Sequence, residues 1–373
     1  MTKNMHITSI TMRKFLFIII AMLVAVVAQG AGKEIPATDS NITFTGRTAK
    51  TSDGGVRYDW SGVYMQTFFS GSSVGVVVSE EGTSYHNVFV DGKLLRKIKV
   101  DGKTPHAITL ASGLPKGFHR LMMQKCTEGD YGCTTVWKLL VGKGATLKPV
   151  PRSSRFIEVV GDSYTCGYGV EGKSPREPFA LETEDCHEAY GALIARYFGA
   201  DYALIAHSGQ GIVRHWGDKQ PTSENQMPER WTRIFDTHGQ EAYDYKAYKP
   251  DIVIINLGTN DYSTMPLPSE KQYVGAYVKF IEAIKGRYGD IPILCVTPHS
   301  ANIYLKAALG RLRDKTLCMN KVYMANPLDG IITSDRDLGS NSHPNKQGQT
   351  KIAFALIPQV AAITGWEVNQ LPF

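Results

Sequence analysis

The sequence predicts an α/β protein: a parallel sheet with helices on both faces, preceded by an all-β domain of the jelly-roll sandwich kind. Three observations carry this reading. From about residue 42 to 142, short apolar and β-branched runs recur with Gly, Asp-Gly or Ser between them. From residue 155 onward, near-continuous apolar runs alternate with segments of helical period. GKGATLKPVPRSSR (142–155), polar and proline-containing, separates the two patterns. A chain of 373 residues with 43% hydrophobic content fills more than one core, because a single core rarely grows past about 250–300 residues.

The first element is a leader. Residues 1–30 hold Lys3, Arg13 and Lys14, no acid, and the apolar run FLFIIIAMLVAVVA (15–28), followed by small residues at Ala28, Gly30 and Ala31. That is the layout of a secretory signal peptide, and the run falls short of the ~20 apolar residues of a spanning helix. An uncleaved anchor is the alternative. The expectation is an exported protein, periplasmic or extracellular, free of the membrane once the leader is cleaved. Loss of those three bases takes the formal charge from +6 to about +3. The remaining bases form no runs alternating with aromatics, which excludes nucleic acid as the expected partner. A monomer is the default.

Residues 31–145 read as the sandwich. Its strands are expected at 63–70, 74–80, 86–92, 94–102, 106–112, 117–126 and 134–142, with Asp91-Gly92 and Asp101-Gly102 as hairpin turns. Residues 146–154 read as a linker and 155–373 as the α/β domain. There RFIEVVGDS (155–163), ADYALIAHS (200–208), PDIVIINLG (250–258) and IPILCVTP (291–298) have the apolar continuity of parallel strands buried on both faces. HEAYGALIARYF (187–198), KQYVGAYVKFIEAIKGRYG (271–289) and part of 345–366 supply helices; Tyr273, Tyr277, Phe280, Ile281 and Ile284 recur at helical spacing.

Open α/β sheets bind ligands beyond the carboxyl ends of their strands. The first strand ends in Gly161-Asp162-Ser163, the second in His207-Ser208-Gly209-Gln210-Gly211 and the third in Gly258-Thr259-Asn260-Asp261; Ser342-His343-Pro344-Asn345 precedes the last helix. Singly, each block reads as a turn, a cap or a helix boundary. Together they contain what acyl transfer requires. A serine hydroxyl is a weak nucleophile that must pass its proton to a base suited to neutral pH, such as histidine. The oxyanion that follows needs donors fixed in advance, and Ser163 N–H, Gly209 N–H and the Asn260 amide are the candidates.

GDSY, HSGQG, GTND and SHPN resemble the four blocks of the SGNH (GDSL-type) hydrolases, whose sheet is flavodoxin-like. GDSYTCGYGVEG (161–172), YGALIARYF (190–198), SGQGIVRHWGD (208–218) and VIINLGTNDYS (253–263), behind a β-sandwich, resemble carbohydrate esterase family 2 over nearly the whole mature chain. The resemblance implies removal of O-acetyl groups from plant polysaccharides such as xylan or glucomannan, with Ser163 as nucleophile and His343 as general base. No metal or organic cofactor is expected, since the Ser/His pair and the oxyanion donors account for the chemistry. A lipid or thioester hydrolase, and a carbohydrate-binding protein with an inactive hydrolase domain, are the competing readings.

Two departures stand out. These hydrolases usually carry an aspartate two or three residues before the histidine, where this chain has Ser340, Asn341 and Ser342. The imidazole is then oriented by the Asn341 amide oxygen, by a backbone carbonyl near Ser340, or by Asp335 or Asp337 folding back; the expectation is a Ser-His dyad. The aromatic residue that commonly precedes the histidine is Ser342 here. Sugar stacking passes to Tyr262, Trp216, Tyr168 or Tyr164, with ordinary packing as the alternative. His207 reads as a structural histidine. An exported chain with six cysteines suggests disulfides, and local spacing pairs Cys126 with Cys133, Cys166 with Cys186 and Cys295 with Cys318. Free buried thiols are the alternative, and six cysteines allow 15 arrangements.

Overall fold

The computed structural model describes residues 32–368, so the leader read at 1–30 lies outside the described residues. The antiparallel domain is organised by one 17-residue strand, Val74–Val90. Its first half pairs with Gly132–Val141 and His106–Ala111, and from Thr83 it pairs with Lys93–Asp101 and Phe118–Lys125. The sequence suggested two strands here, divided near Gly82. No turn forms because Gly82, at φ +127°, lets the backbone bend into the second layer while both halves stay paired. A Cβ there would lie 2.2 Å from the Tyr131 carbonyl oxygen. Val76, Val78, Val88, Val136 and Leu139 are buried between the layers, each stabilising the fold by about 1.5–3 kcal/mol. Leu147–Lys148, inside the stretch read as linker, pairs with Phe68 and Phe69 and belongs to the sheet.

The second domain has five parallel strands: β1 (Phe156–Gly161), β2 (Asp201–Ala206), β3 (Ile252–Asn256), β4 (Ile293–Cys295) and β5 (Val322–Met324). Their order is β2-β1-β3-β4-β5, the flavodoxin-like arrangement. The strand order reverses between β1 and β3, so the crevice opens beyond their carboxyl ends. The helices include α1 (Ser163–Cys166), α2 (Tyr190–Tyr197), α3 (Glu270–Tyr288), α4 (Ile303–Thr316) and α5 (Lys346–Thr364); a further single turn, Met227–Arg230, lies in the loop between β2 and β3. Strand residues alternate between two cores, as period-two side chains must. Val160, Ile205 and Ile255 join Tyr273, Phe280 and Ile284 of α3 on one face. Val159, Leu204 and Ile254 join Leu193 of α2 and Leu356 of α5 on the other.

The domains are joined by buried polar contacts. Asp59 accepts the backbone N–H groups of Asp236, Thr237 and His238 at 2.8, 3.0 and 3.1 Å, and Trp60 Nε1 donates to the Ile234 carbonyl at 2.8 Å. Arg47 pairs with Glu158 at 3.6 Å and donates to the carbonyls of Trp231 and Arg233. The sandwich therefore grips the loop between β2 and β3 rather than hanging from a tether.

The cysteine pairing is corrected: all six thiols are free, with Cys318 exposed and the other five buried. Proximity in sequence misled because strand pairing sends neighbours to different environments. The Cys133 thiol faces the Tyr58 carbonyl at 3.5 Å, while Cys126 faces the carbonyl of Gln124 at 3.8 Å. Cys166 donates to Glu128 at 3.3 Å and Cys186 to the Lys125 carbonyl at 3.2 Å. Cys295 is sealed inside β4 while Cys318 lies in solvent beyond α4. Burial pushes the Cys295 thiol up to about 12.

Candidate active site

Strand β1 delivers the serine through a tight strand-to-helix turn. A Cβ on Gly161 would sit 2.0 Å from Thr165 Oγ1, so only glycine lets the helix fold back onto the strand end. Asp162 caps α1 by accepting the Tyr164 N–H at 3.1 Å, and Gly167, at φ +73°, closes the single turn by donating to the Ser163 carbonyl. Ser163 is thereby fixed at the start of α1 and only 8% exposed. Its Oγ donates to His343 Nε2 at 2.9 Å.

His343 is held from its other side by backbone. Nδ1 lies 3.0 Å from the Asn341 carbonyl oxygen, an obligate acceptor that fixes the proton on Nδ1 and leaves Nε2 free to accept. Asn341 and Ser342 adopt φ +50° and +58°, held there because their N–H groups donate to the carbonyls of Glu177 (2.9 Å) and Pro175 (3.1 Å). The orienting group is thus the main chain of Asn341. Its side-chain amide instead donates to the Tyr168 hydroxyl at 3.1 Å, and Ser340 contributes backbone bonds to Gly169 and His343. Asp337 is paired with Lys351 at 2.7 Å, turned away from the ring. Among the described residues, no carboxylate contacts the imidazole. Burial lowers the His343 pKa, opposed by the Asn341 carbonyl.

The three expected oxyanion donors divide. The amides of Ser163 and Gly209 donate to no acceptor among the described residues, and Gly209 sits at φ +78°, where a side chain would be strained. Asn260, by contrast, has both hydrogens of its Nδ2 engaged in this state, by the Gln210 carbonyl at 2.7 Å and by Asp162 at 3.1 Å. In this state it ties the β1 and β2 loops together. Asp162 is pushed up to about 7 by burial, against the Tyr164 N–H, with Asp261 adding to the rise.

Asp261 was not singled out from sequence, yet it clamps the β2 loop. Its carboxylate accepts the N–H groups of Ile212, Val213 and Arg214 at 3.0, 2.7 and 3.0 Å. Gln349 of α5 was also missed; it accepts the Tyr190 N–H and donates to the Tyr164 carbonyl, both at 2.9 Å, bracing α1 from behind. Neither carries a sequence signal beyond lying next to a block or on a helix.

The stacking candidates separate by exposure. Tyr262 is 4% exposed and packs edge-on against Tyr273, so it is core and not a sugar platform. Tyr164 is almost as buried, its hydroxyl on Ser300 at 3.1 Å. Tyr168 stacks on Phe179 at 3.9 Å and stands 4.5 Å from the His343 ring. Trp216 is 67% exposed, and its backbone N–H donates to the Gly209 carbonyl at 2.7 Å, which places its indole beside Gly209. His207 is structural: Nδ1 meets Asp236 at 2.7 Å and Nε2 meets Asp130 at 3.2 Å. A cavity of about 560 Å³, lined by Tyr64, Arg120, His187, Arg196, Asp201 and Tyr202, lies at the amino end of β2, remote from Ser163.

Comparison with known proteins agrees with this architecture. The Carbohydrate esterase 2 N-terminal family matches residues 44–151, and the GDSL-like Lipase/Acylhydrolase family matches 159–325. Cellulase/esterase CelE of Acetivibrio thermocellus is 30% identical over 333 residues, covering 87% of this chain. The chain spans only 36% of that protein. An acetylxylan esterase / glucomannan deacetylase of Cellvibrio japonicus is 29% identical over 341 residues, 89% of this chain and 91% of the relative. The family two carbohydrate esterase of Clostridium thermocellum, solved in complex with cellohexaose, superposes with a TM-score of 0.80 at 28% identity, covering 87% of this chain and all of that one. The Cellvibrio japonicus family two structure gives 0.81 at 27% identity, covering 90% and 98%.

Proposed function

The chain belongs to carbohydrate esterase family 2, a family of carboxylic ester hydrolases, and from that premise we propose that it is an exported serine esterase removing O-acetyl groups from plant cell-wall polysaccharides, acetylated xylan or glucomannan. The observation that carries the mechanism is the 2.9 Å bond between Ser163 Oγ and His343 Nε2, with the second ring nitrogen on a backbone carbonyl. As Ser163 Oγ attacks the acetyl carbon, its proton passes to Nε2 and the carbonyl π pair moves onto oxygen. The Ser163 and Gly209 amides stabilise that oxyanion, and Asn260 joins them by giving up its longer bond to Asp162. Collapse breaks the bond to the sugar oxygen, which takes the proton from Nε2 and leaves acetyl-Ser163. Water then repeats the sequence: its proton goes to Nε2, acetate leaves, and Ser163 recovers its hydrogen.

Several features support the substrate class. The site is flanked by an exposed indole at Trp216 and by the Tyr168–Phe179 stack, surfaces that suit sugar rings. The relative from Cellvibrio japonicus is named for acetylxylan and glucomannan. Export is supported by the sequence of residues 1–30, and among the described residues no helix is long and apolar enough to cross a membrane. The test is acetate release from acetylated xylan and acetylated glucomannan side by side, with 4-nitrophenyl acetate and a long-chain ester as small substrates. The account expects acetate from at least one polymer, little turnover of the long chain, and none by Ser163→Ala. Preference for the long-chain ester would overturn the carbohydrate reading.

A further inference from the structure

A residue of the antiparallel domain reaches behind both halves of the site. Glu128 Oε2 accepts the Ser208 N–H at 2.6 Å and the Cys166 thiol at 3.3 Å. Ser208 immediately precedes Gly209, whose N–H is an oxyanion donor. Cys166 ends α1, the one-turn helix that Ser163 begins. One oxygen atom therefore ties the donor loop to the nucleophile turn.

We propose that Glu128 is a positioning residue that sets the distance between the Gly209 amide and Ser163, so that the antiparallel domain completes the catalytic geometry; this rests on the esterase reading above. The surroundings keep that oxygen in place. Glu184 is fully buried beside it and accepts the Glu128 N–H at 3.3 Å. Neither carboxyl group has an ion-pair partner among the described residues, and each has one buried oxygen, Oε1, without a donor. Burial and the neighbouring Glu128 push Glu184 well above the usual carboxylate range. The bond that Glu128 accepts from the Ser208 N–H is short, 2.6 Å, so the acceptor oxygen fixes the position of that amide closely.

The variants Glu128→Ala, Glu128→Asp and Glu128→Gln, assayed on 4-nitrophenyl acetate, test this. Gln keeps an acceptor oxygen in place, Asp retracts it by one methylene, and Ala removes it. A donor displaced by about 1 Å costs up to about 100-fold. The expected result is a kcat loss of about 10–100-fold for Ala and Asp, with KM within about threefold and an unchanged pH midpoint on the acid side, while Gln stays within about threefold of wild type. Amide hydrogen exchange at Ser208 and Gly209 should quicken in Ala and Asp but not in Gln. Wild-type kcat in both Ala and Asp, or equal loss in all three variants, would overturn the proposal. So would a stoichiometric zinc ion in the purified protein, because Glu128, Cys166 and Glu184 present ligand atoms within 4.8 Å of one another and would then serve a metal. If the wild type fails to turn over the ester, the esterase reading falls, and the exchange comparison still decides the role of Glu128.

Discussion

His343 Nδ1 and the Asn341 carbonyl oxygen stand 3.0 Å apart, so a peptide group two residues upstream occupies the place that a carboxylate takes in a triad. The carbonyl fixes the tautomer and the ring plane. It supplies only a dipole to the imidazolium that forms, and the compensating stabilisation must come from the oxyanion donors.

This arrangement predicts that position 341 matters through its backbone. Asn341→Asp should change kcat/KM by less than about threefold, because the side chain points to Tyr168 and not to the ring. Asn341→Val should lower it at least about tenfold, or about 1.4 kcal/mol, because a β-branched residue is strained at φ +50° and would shift the carbonyl. A tenfold gain in Asn341→Asp would show that the peptide orients the base poorly.

The pH profile follows from the base. Burial lowers the His343 pKa below its ordinary value near 6.5, and the neutral form is the one that accepts the Ser163 proton. Activity should therefore fall on acidification with a midpoint below 6.5. A midpoint above 7 in kcat/KM would mean that a charge not seen beside the ring is raising it.

Trp216 separates polymer from small substrate. Since it is exposed beside Gly209, Trp216→Ala should leave thermal stability and 4-nitrophenyl acetate turnover within about twofold. The KM for acetylated polysaccharide should rise about three- to tenfold, the scale of one lost ring contact. Equal effects on both substrates would remove Trp216 from glycan binding.

His207 predicts a stability change at alkaline pH. Burial opposes its charge, but Asp236 and Asp130 outweigh burial and raise it to about 10. A raised pKa contributes stability that is complete below about 6.5 and disappears as pH climbs through about 10. The melting temperature should fall across that window in the wild type and fall less in His207→Gln.

Much of the site was legible because strand ends and blocks coincide. Gly161 and the position of Ser163 follow from a β1 run that stops at a turn, Gly209 from the matching end of β2, and the two-domain grammar from a change of hydrophobic period. What escaped depends on residues far apart in sequence. Glu128 meets Ser208 across 80 positions, and Gln349 meets Tyr164 across 185. The disulfide expectation failed for the same reason: spacing along the chain says little once a 17-residue strand joins two layers. The β5 strand, three residues of mixed burial, gave no apolar run to read. Tyr262 lay next to a block, but adjacency did not reveal that its ring turns into the α3 core.

With no carboxylate on the imidazole, the Ser163–His343 pair is expected to carry the reaction through acetyl-Ser163. Rapid quenching of 4-nitrophenyl acetate turnover, followed by peptide mass analysis, tests it directly. One acetyl group is expected on the peptide containing Ser163, absent in Ser163→Ala and accumulating more slowly in His343→Ala. Turnover retained in Ser163→Ala, or an acetyl group carried by another residue, would contradict it.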